Sequence, residues 1–524
     1  MPPYSKLNYL TFELKLNHTK ALIVSILISS IWLYIGTAVS KYSLTETLPL
    51  YLVQFVLTYI AIINILNSDL ISSLTEGPNI LSLLALHVLL YYCIANIFPA
   101  IIPEQRTYFS QMMNKIPESD VGYYFLSSVA AVVFLVATVL GYYACNSLFK
   151  NFSVHRSRLN SFSNVPWLPS YQTSLLFSSV LMICIIYATI MYGWKTGTIL
   201  TDENIIEFTF FEKLTFHGSI YFLPVPPILG SSAYIQANSL KQKKYALWLF
   251  GLSCLVTLLC LIIWRQRSTA MIAVSLSICL LGYTNTIPWK KLILPIILSV
   301  VIAYSLVTIV RESALPALIS MSGDLSGTSA AEMISAIQPE SNDMGILSSF
   351  LNDMSYRTAG LEGVAAIIMA QERGNIELMM GRVTFAGFKK SLPMSLRGEN
   401  TFDDRIKTAP SFYGVFDEGD WVTTILAEQV MDYGIFILFL PSFVIGFLLC
   451  AIDALLYYMG SMPSCDSLLV IRISWLLYII SNGGCLSDLT LNFIKATIGY
   501  TFMLLIIGYI YNYKNFRKYK PTRG

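Results

Sequence analysis

The sequence predicts an all-α polytopic membrane protein with about twelve transmembrane helices and a helical extracytoplasmic cap. Three observations carry that expectation. Of 524 residues, 55% are hydrophobic and only 12% charged, with a mean hydropathy of +0.61; a soluble domain carries about 25% charge. Apolar stretches of 17 or more residues recur along most of the chain, each long enough to cross a hydrocarbon core of about 30 Å. In lipid every backbone N–H and C=O needs an internal partner, and a helix supplies it within the segment.

Candidate spans start near residues 21, 48, 78, 122, 171, 216, 245, 268, 292, 434, 467 and 489. The first, Ala21–Val39, follows twenty mixed polar residues that lack the shape of a cleavable signal. The sixth is interrupted by LPVPP (Leu223–Pro227), a break that membranes tolerate where neighbours satisfy the freed backbone. Orientation follows from the basic residues. With the N-terminus inside and all twelve spans crossing, inside segments hold sixteen Lys and Arg and short outside loops hold seven. Inverting the C-terminal half would expose Lys290, Lys291 and the basic tail outside, so the positive-inside rule places both termini in the cytoplasm.

The chain then divides into 1–310 with spans one to nine, an extracytoplasmic loop over 311–420, spans ten to twelve over 421–510, and a basic cytoplasmic tail over 511–524. The loop carries nine basic and fifteen acidic residues. Within GILSSFLNDMSYRTAGLEGVAAIIMA (345–370), Ile346, Leu347, Phe350, Leu351, Met354, Leu361, Ala365 and Ile368 recur at helical spacing. Ser326–Ala336 and Arg382–Leu392 read as shorter helices, and Pro393, Gly398, Pro410, Gly414 and Gly419 break up the end. This pattern predicts a small helical cap on the membrane domain.

Several function classes fall away. A net charge of +3 makes no case for nucleic acid. Nine scattered cysteines form no C-x-x-C pair, and the four histidines are isolated in sequence, so neither disulfides nor a metal are expected. No D-x-D, GxGxxG or P-loop occurs, and no cofactor is expected.

Arginines mark the outer face. CLIIWRQRSTAMIA (260–273) puts Arg265 and Arg267 at the outer end of the span seven–eight hairpin, against the local charge preference. Arg311 falls at the outer end of span nine and Arg357 on the cap helix. Guanidinium forks grip phosphate oxygens bidentately, so the set suits a lipid-linked diphosphate. Each member also has a plainer reading. Arg265 and Arg267 can snorkel to headgroups, Arg311 can anchor the interface beside Glu312, and Arg357 can pair with Asp353 at i,i+4.

In GDWVTTILAEQVMDYGIFILFL (419–440), Glu428 and Asp432 lie i,i+4 on one helix face. A carboxylate there can act as general base on a sugar hydroxyl, or as a structural partner for a cap arginine. Trp421 and Tyr433 fit an interfacial belt. Deeper charges read as structural: Asp453 and Arg472 can pair near the inner ends of spans ten and eleven, while Lys495 near the outer side of span twelve is a further site candidate.

These features resemble the O-antigen (oligosaccharide repeat unit) polymerases of the flippase-dependent Wzy pathway. The more local likeness lies in FAGFKKSLPMSLRGENTFDDR (385–405) followed by DWVTTILAEQVMDYGIFILFLPSFVIG (420–446), with Pro393, Arg397, Thr424, Glu428 and Gly434 at the matching positions. The WRQR hairpin is also similar to that of the O-antigen ligases, but those carry a histidine in their outer loop and this loop has none. The resemblance covers about 245–510. It implies a metal-independent glycosyltransferase of the GT-C class in the bacterial inner membrane. Its donor is the growing glycan on undecaprenyl diphosphate, and its acceptor is a new lipid-linked unit. It further implies diphosphate or glycan binding by Arg265, Arg267, Arg311, Arg357 and Arg397, with Glu428 as base. Its partners would be membrane lipids and a chain-length-regulating co-polymerase. A transporter or flippase, or an O-antigen ligase, is the alternative, although a 6+6 transporter would carry its long loop mid-chain and inside.

Overall fold

The computed structural model describes residues 3–34, 37, 43–71, 80–94, 121–148, 170–190, 225–263, 360–374, 377–385 and 424–460, with single positions and short pieces between 274 and 298. Among these residues all regular structure is helical. The helices gather into two compact units.

The first unit begins with α1 (Pro3–Tyr34) and α2 (Leu44–Ile71). The sequence places the first span at Ala21, but the helix starts well before it and carries the polar N-terminal residues as its first turns. Helix α2 opens on a capping box. The Ser43 N–H donates to Glu46 Oε2 at 2.8 Å, and the Glu46 N–H faces Ser43 Oγ at 3.4 Å, which satisfies donors that a helix start leaves orphaned. The two helices pack through small residues. Ala21, Ser25 and Ser29 are fully buried at i,i+4 spacing, and both serines return their hydroxyls to the carbonyl four residues back. At the far end Asn17 donates to the Leu66 carbonyl at 3.4 Å, so α1 and α2 run antiparallel.

Helix α3 (Ile80–Val88) widens into a π-helix over Leu89–Ile94. Helix α4 (Val121–Leu148) packs against α2 and α3. Helix α5 (Gly360–Glu372) confirms helical structure in the second part of the 345–370 stretch; 345–359, Ser326–Ala336 and 386–392 lie outside the described residues. From Leu361 to Ala370 its apolar side chains are buried, against α4, the π-helix and the next helix.

That next helix, α6 (Ile425–Ile437), is broken at Gly434, and α7 (Phe439–Gly460) follows. Gly434 has φ 65° and ψ 178°, a conformation essentially closed to other residues. The break is sharp. The Ser442 hydroxyl donates to Gln429 Oε1 at 2.6 Å, although the two are 13 residues apart. Along one straight helix they would stand roughly 20 Å apart, far beyond the reach of the two side chains. The chain therefore folds back at Gly434, and α6 and α7 are two arms of a V rather than one span. The sequence expects span ten from 434; the helix that matches it is α7.

Helix α7 lies against α4. A methyl group on Gly141 would overlap the Phe443 carbonyl, and one on Gly446 would overlap the Thr138 carbonyl. The backbones approach this closely only because both positions lack a Cβ, the usual device for helices that have no hydrophobic drive to associate in lipid. Thr138 Oγ1 also reaches the Ser442 carbonyl at 3.3 Å. The contacts gather at one crossing, residues 138–141 of α4 against 442–447 of α7.

The second unit holds three described helices: α8 (Tyr171–Ala188), α9 (Val225–Ile235) and α10 (Leu240–Ile263). The expected sixth span meets its prolines here. Helix α9 begins at Val225 with Pro226 and Pro227 in its first turn, where the missing N–H would be unpaired in any case. With 11 residues it is about 16 Å long and too short to cross alone. It is buried from Val225 to Ala233 between α8 and α10, and Ser178 donates to the Pro226 carbonyl at 3.1 Å. Helix α10 starts on a second capping box, Ser239 with Gln242.

Five described helices are long and apolar enough to cross a membrane: Leu16–Tyr34, Leu44–Asn67, Gly122–Leu148, Tyr171–Ala188 and Leu240–Cys260. Their outer faces stay apolar and uncovered, with Trp248 80% exposed and Leu176 63%. Uncovered apolar faces along whole helices belong in lipid. The protein is a polytopic helical membrane protein.

Candidate functional site

Polar chemistry in the first unit gathers around Tyr92, on the π-helix. A π-turn spaces its hydrogen bonds more widely than an α-turn and commonly marks a functional position. Here neighbours take up the carbonyls at its end. Gln54 Nε2 of α2 donates to the Tyr92 carbonyl at 3.4 Å and to Ser128 Oγ of α4 at 2.8 Å. Trp32 Nε1 of α1 donates to the Cys93 carbonyl at 3.0 Å. The Tyr92 ring is fully buried, and a Cβ on Gly360, the first residue of α5, would stand 3.0 Å from it.

The Tyr92 hydroxyl donates to Thr424 Oγ1 at 2.5 Å. Thr424 is the N-cap of α6 and accepts from the Ala427 N–H at 3.1 Å. The N-termini of two buried helices, α5 and α6, thus meet one aromatic side chain. The His87 ring lies tilted against Tyr91, with centroids 4.3 Å apart, and meets Tyr92 edge-on at 6.2 Å.

Glu428 sits one turn into α6 and is buried. The partial positive charge of a helix N-terminus favours a carboxylate there. Asp432, four residues on, is fully buried and accepts three hydrogen bonds: from the Val383 N–H at 2.9 Å, the Thr384 N–H at 2.9 Å and the Thr384 hydroxyl at 2.7 Å. The two carboxylates that the sequence puts on one helix face therefore stand in different settings. Asp432 accepts from Val383 and Thr384, and Glu428, which also has a partner, lies one turn beyond the Thr424 cap.

The broken end of α6 is equally well partnered. Gln371 Nε2 donates to the Val430 carbonyl at 2.9 Å, the Met379 N–H to Met431 O at 3.2 Å, and the Met380 N–H to Asp432 O at 2.8 Å. A break at membrane depth frees carbonyls, and these three donors take them up.

Buried polar atoms with no hydrogen-bond partner among the described residues include Gln54 Oε1, His87 Nδ1 and Gln429 Nε2. Such atoms are rare in a native interior and mark places where function competes with packing.

Of the residues singled out by sequence, the structure places Glu428 in this region. Arg265, Arg267, Arg311, Arg357 and Arg397 lie outside the described residues, as do Pro393, Trp421, Arg472 and Lys495. Asp453 is buried in the last turns of α7. Sequence reasoning passed over Tyr92, Gln54, His87 and Gln371. Gln54 and His87 carried a signal, as polar side chains within apolar runs. Tyr92 and Gln371 carried none. No family model, curated protein or solved structure matches the chain.

Proposed function

We propose that the protein polymerises lipid-linked oligosaccharide repeat units of an O-antigen, capsule or exopolysaccharide at the outer face of the bacterial inner membrane. The observation that carries this reading is the buried Glu428 at the start of a short helix that folds back at Gly434. Up to its break at Gly434, α6 is about 14 Å long, a length suited to entering a membrane domain without crossing it. In this reading both termini are cytoplasmic, as the distribution of Lys and Arg suggests.

In the proposed reaction a hydroxyl of the incoming lipid-linked unit attacks the anomeric carbon of the growing glycan. Its proton passes to Glu428 as general base. The bond to undecaprenyl diphosphate breaks, and the diphosphate leaves with its negative charge. Arg265, Arg267, Arg311, Arg357 and Arg397 are the groups available to stabilise that charge. The reaction needs no cofactor. A co-polymerase that sets chain length is the expected protein partner.

Deleting the gene tests the reading through surface glycan length. Loss of long chains with one repeat unit still attached supports polymerisation. Loss of all attached glycan points to a flippase or ligase. Unchanged glycan rejects every envelope role. The fold-back at Gly434 and the unpartnered Gln54, His87 and Gln429 atoms favour a flippase or transporter as second reading, since discontinuous helices line transport sites.

A further inference from the structure

We infer that Asp432 is a positioning residue: its carboxylate clasps the 377–385 strap to the broken end of α6 and so fixes the strap against the helix that carries Glu428. The inference deepens the polymerase reading and rests on it for its functional half. It separates the two acidic side chains of α6 into a reacting group and a group that acts through others.

The clasp runs one way, from donors on the strap to acceptors on α6. Carbonyls at the end of α6 accept from the strap, at Met431 from Met379 and at Asp432 from Met380. The Asp432 side chain accepts from the strap's next turn, at Val383 and Thr384. Five strap donors thus bind two successive residues of one helix. The strap is bent to make this fit. Met380 has φ 48° and Gly381 φ 85°, and a left-handed non-glycine residue persists only where its surroundings over-determine it. The strained residue is itself a donor, through the Met380 N–H at 2.8 Å. Gly381 allows the Tyr433 hydroxyl to approach, to 3.0 Å from where a Cβ would stand.

The strap also leads somewhere. Arg397 follows Phe385 by twelve residues, with Lys389 and Lys390 between. Asp432 therefore ties the point from which that basic segment departs to the helix one turn beyond Glu428. An acceptor hydroxyl, a base and a diphosphate-binding arginine must share one geometry for transfer to occur, and small misplacements are costly.

The test uses the full chain in lipid nanodiscs, with Asp432→Asn compared with wild type by hydrogen–deuterium exchange. The amide nitrogen of Asn cannot accept, so at least one strap donor loses its partner. Exchange at Val383 and Thr384 should quicken roughly tenfold to a hundredfold, while α4 and α7 keep their protection. In cells, the same variant should shorten surface glycan at unchanged protein abundance. Thr384→Ser, which keeps the hydroxyl, should retain long chains, whereas Thr384→Val should not. Unchanged exchange overturns the clasp. Faster exchange with normal chain length overturns the positioning role. If Asp432→Asn does not fold, Thr384→Val carries both measurements, because the backbone donors remain. Should gene deletion leave glycan unaltered, the polymerase reading fails while the exchange result still judges the clasp.

Discussion

Thr384 meets Asp432 twice, through its N–H at 2.9 Å and its hydroxyl at 2.7 Å on the same oxygen, Oδ2. Both oxygens of this buried carboxylate are engaged by the strap, which gives Asp432 a structural task. The relationship directs attention to Glu428. Glu428→Gln should abolish chain extension while the protein accumulates normally and unfolds at the wild-type temperature within a few degrees. Glycan length by gel and melting by intrinsic fluorescence check the two halves.

Gly434 should resist any substitution. Alanine there must leave the 65°, 178° conformation or strain it, and its Cβ would meet Leu378 Cδ2 at 3.1 Å. We expect Gly434→Ala to destabilise the protein by about 1–3 kcal/mol. A fall in melting temperature, with faster amide exchange in α6 and the 377–385 strap, is the expected signature.

Glycines elsewhere should divide sharply. Gly141→Ala and Gly446→Ala each drive a methyl group into a facing backbone carbonyl, so both should reduce recovery of monodisperse protein from detergent. Gly251→Ala meets nothing within 4 Å and should be neutral or stabilise by up to about 1 kcal/mol through helix propensity. Fluorescence-detected size-exclusion chromatography of the three variants makes the comparison. Equal recovery of all three would refute the close α4–α7 approach.

Tyr92→Phe isolates one hydroxyl. The ring stays against Gly360, but the Thr424 cap loses its donor. A loss of about 1 kcal/mol is expected, together with faster exchange at the first turn of α6. Thr424→Ser keeps a hydroxyl at the cap and should behave nearly as wild type.

The arginines test the diphosphate site directly. Arg265→Ala or Arg311→Ala should end chain extension without loss of protein. Arg→Lys at either should rescue only in part, since lysine cannot form the bidentate fork. Normal chains from both alanine variants would remove the diphosphate assignment.

Hydropathy made the membrane class and most helix positions legible, because a lipid-facing helix must be apolar over its whole length. It did not reveal the fold-back at Gly434. A glycine inside an apolar run reads the same in a straight span as at a sharp turn, and only the Gln429–Ser442 contact separates them. The proline-bearing α9 was legible as a break but not as a short buried helix, since proline suits a first turn as well as a kink. Glu428 and Asp432 share a face and a periodicity, so spacing alone gave them one role. The donors that occupy Asp432, near in space but about 50 residues away in sequence, are what spacing could not show.

The seating of α7 against α4 has a consequence for how the protein is made. Thr138 and Ser442 touch across 304 residues of chain. At roughly 5–20 residues per second, about 15–60 seconds of translation separate one helix from its neighbour. Throughout that interval the glycine face of α4 awaits its partner in the bilayer. Chains truncated before Phe439 would leave that face bare, a natural mark for the quality-control proteases that survey unfinished membrane proteins.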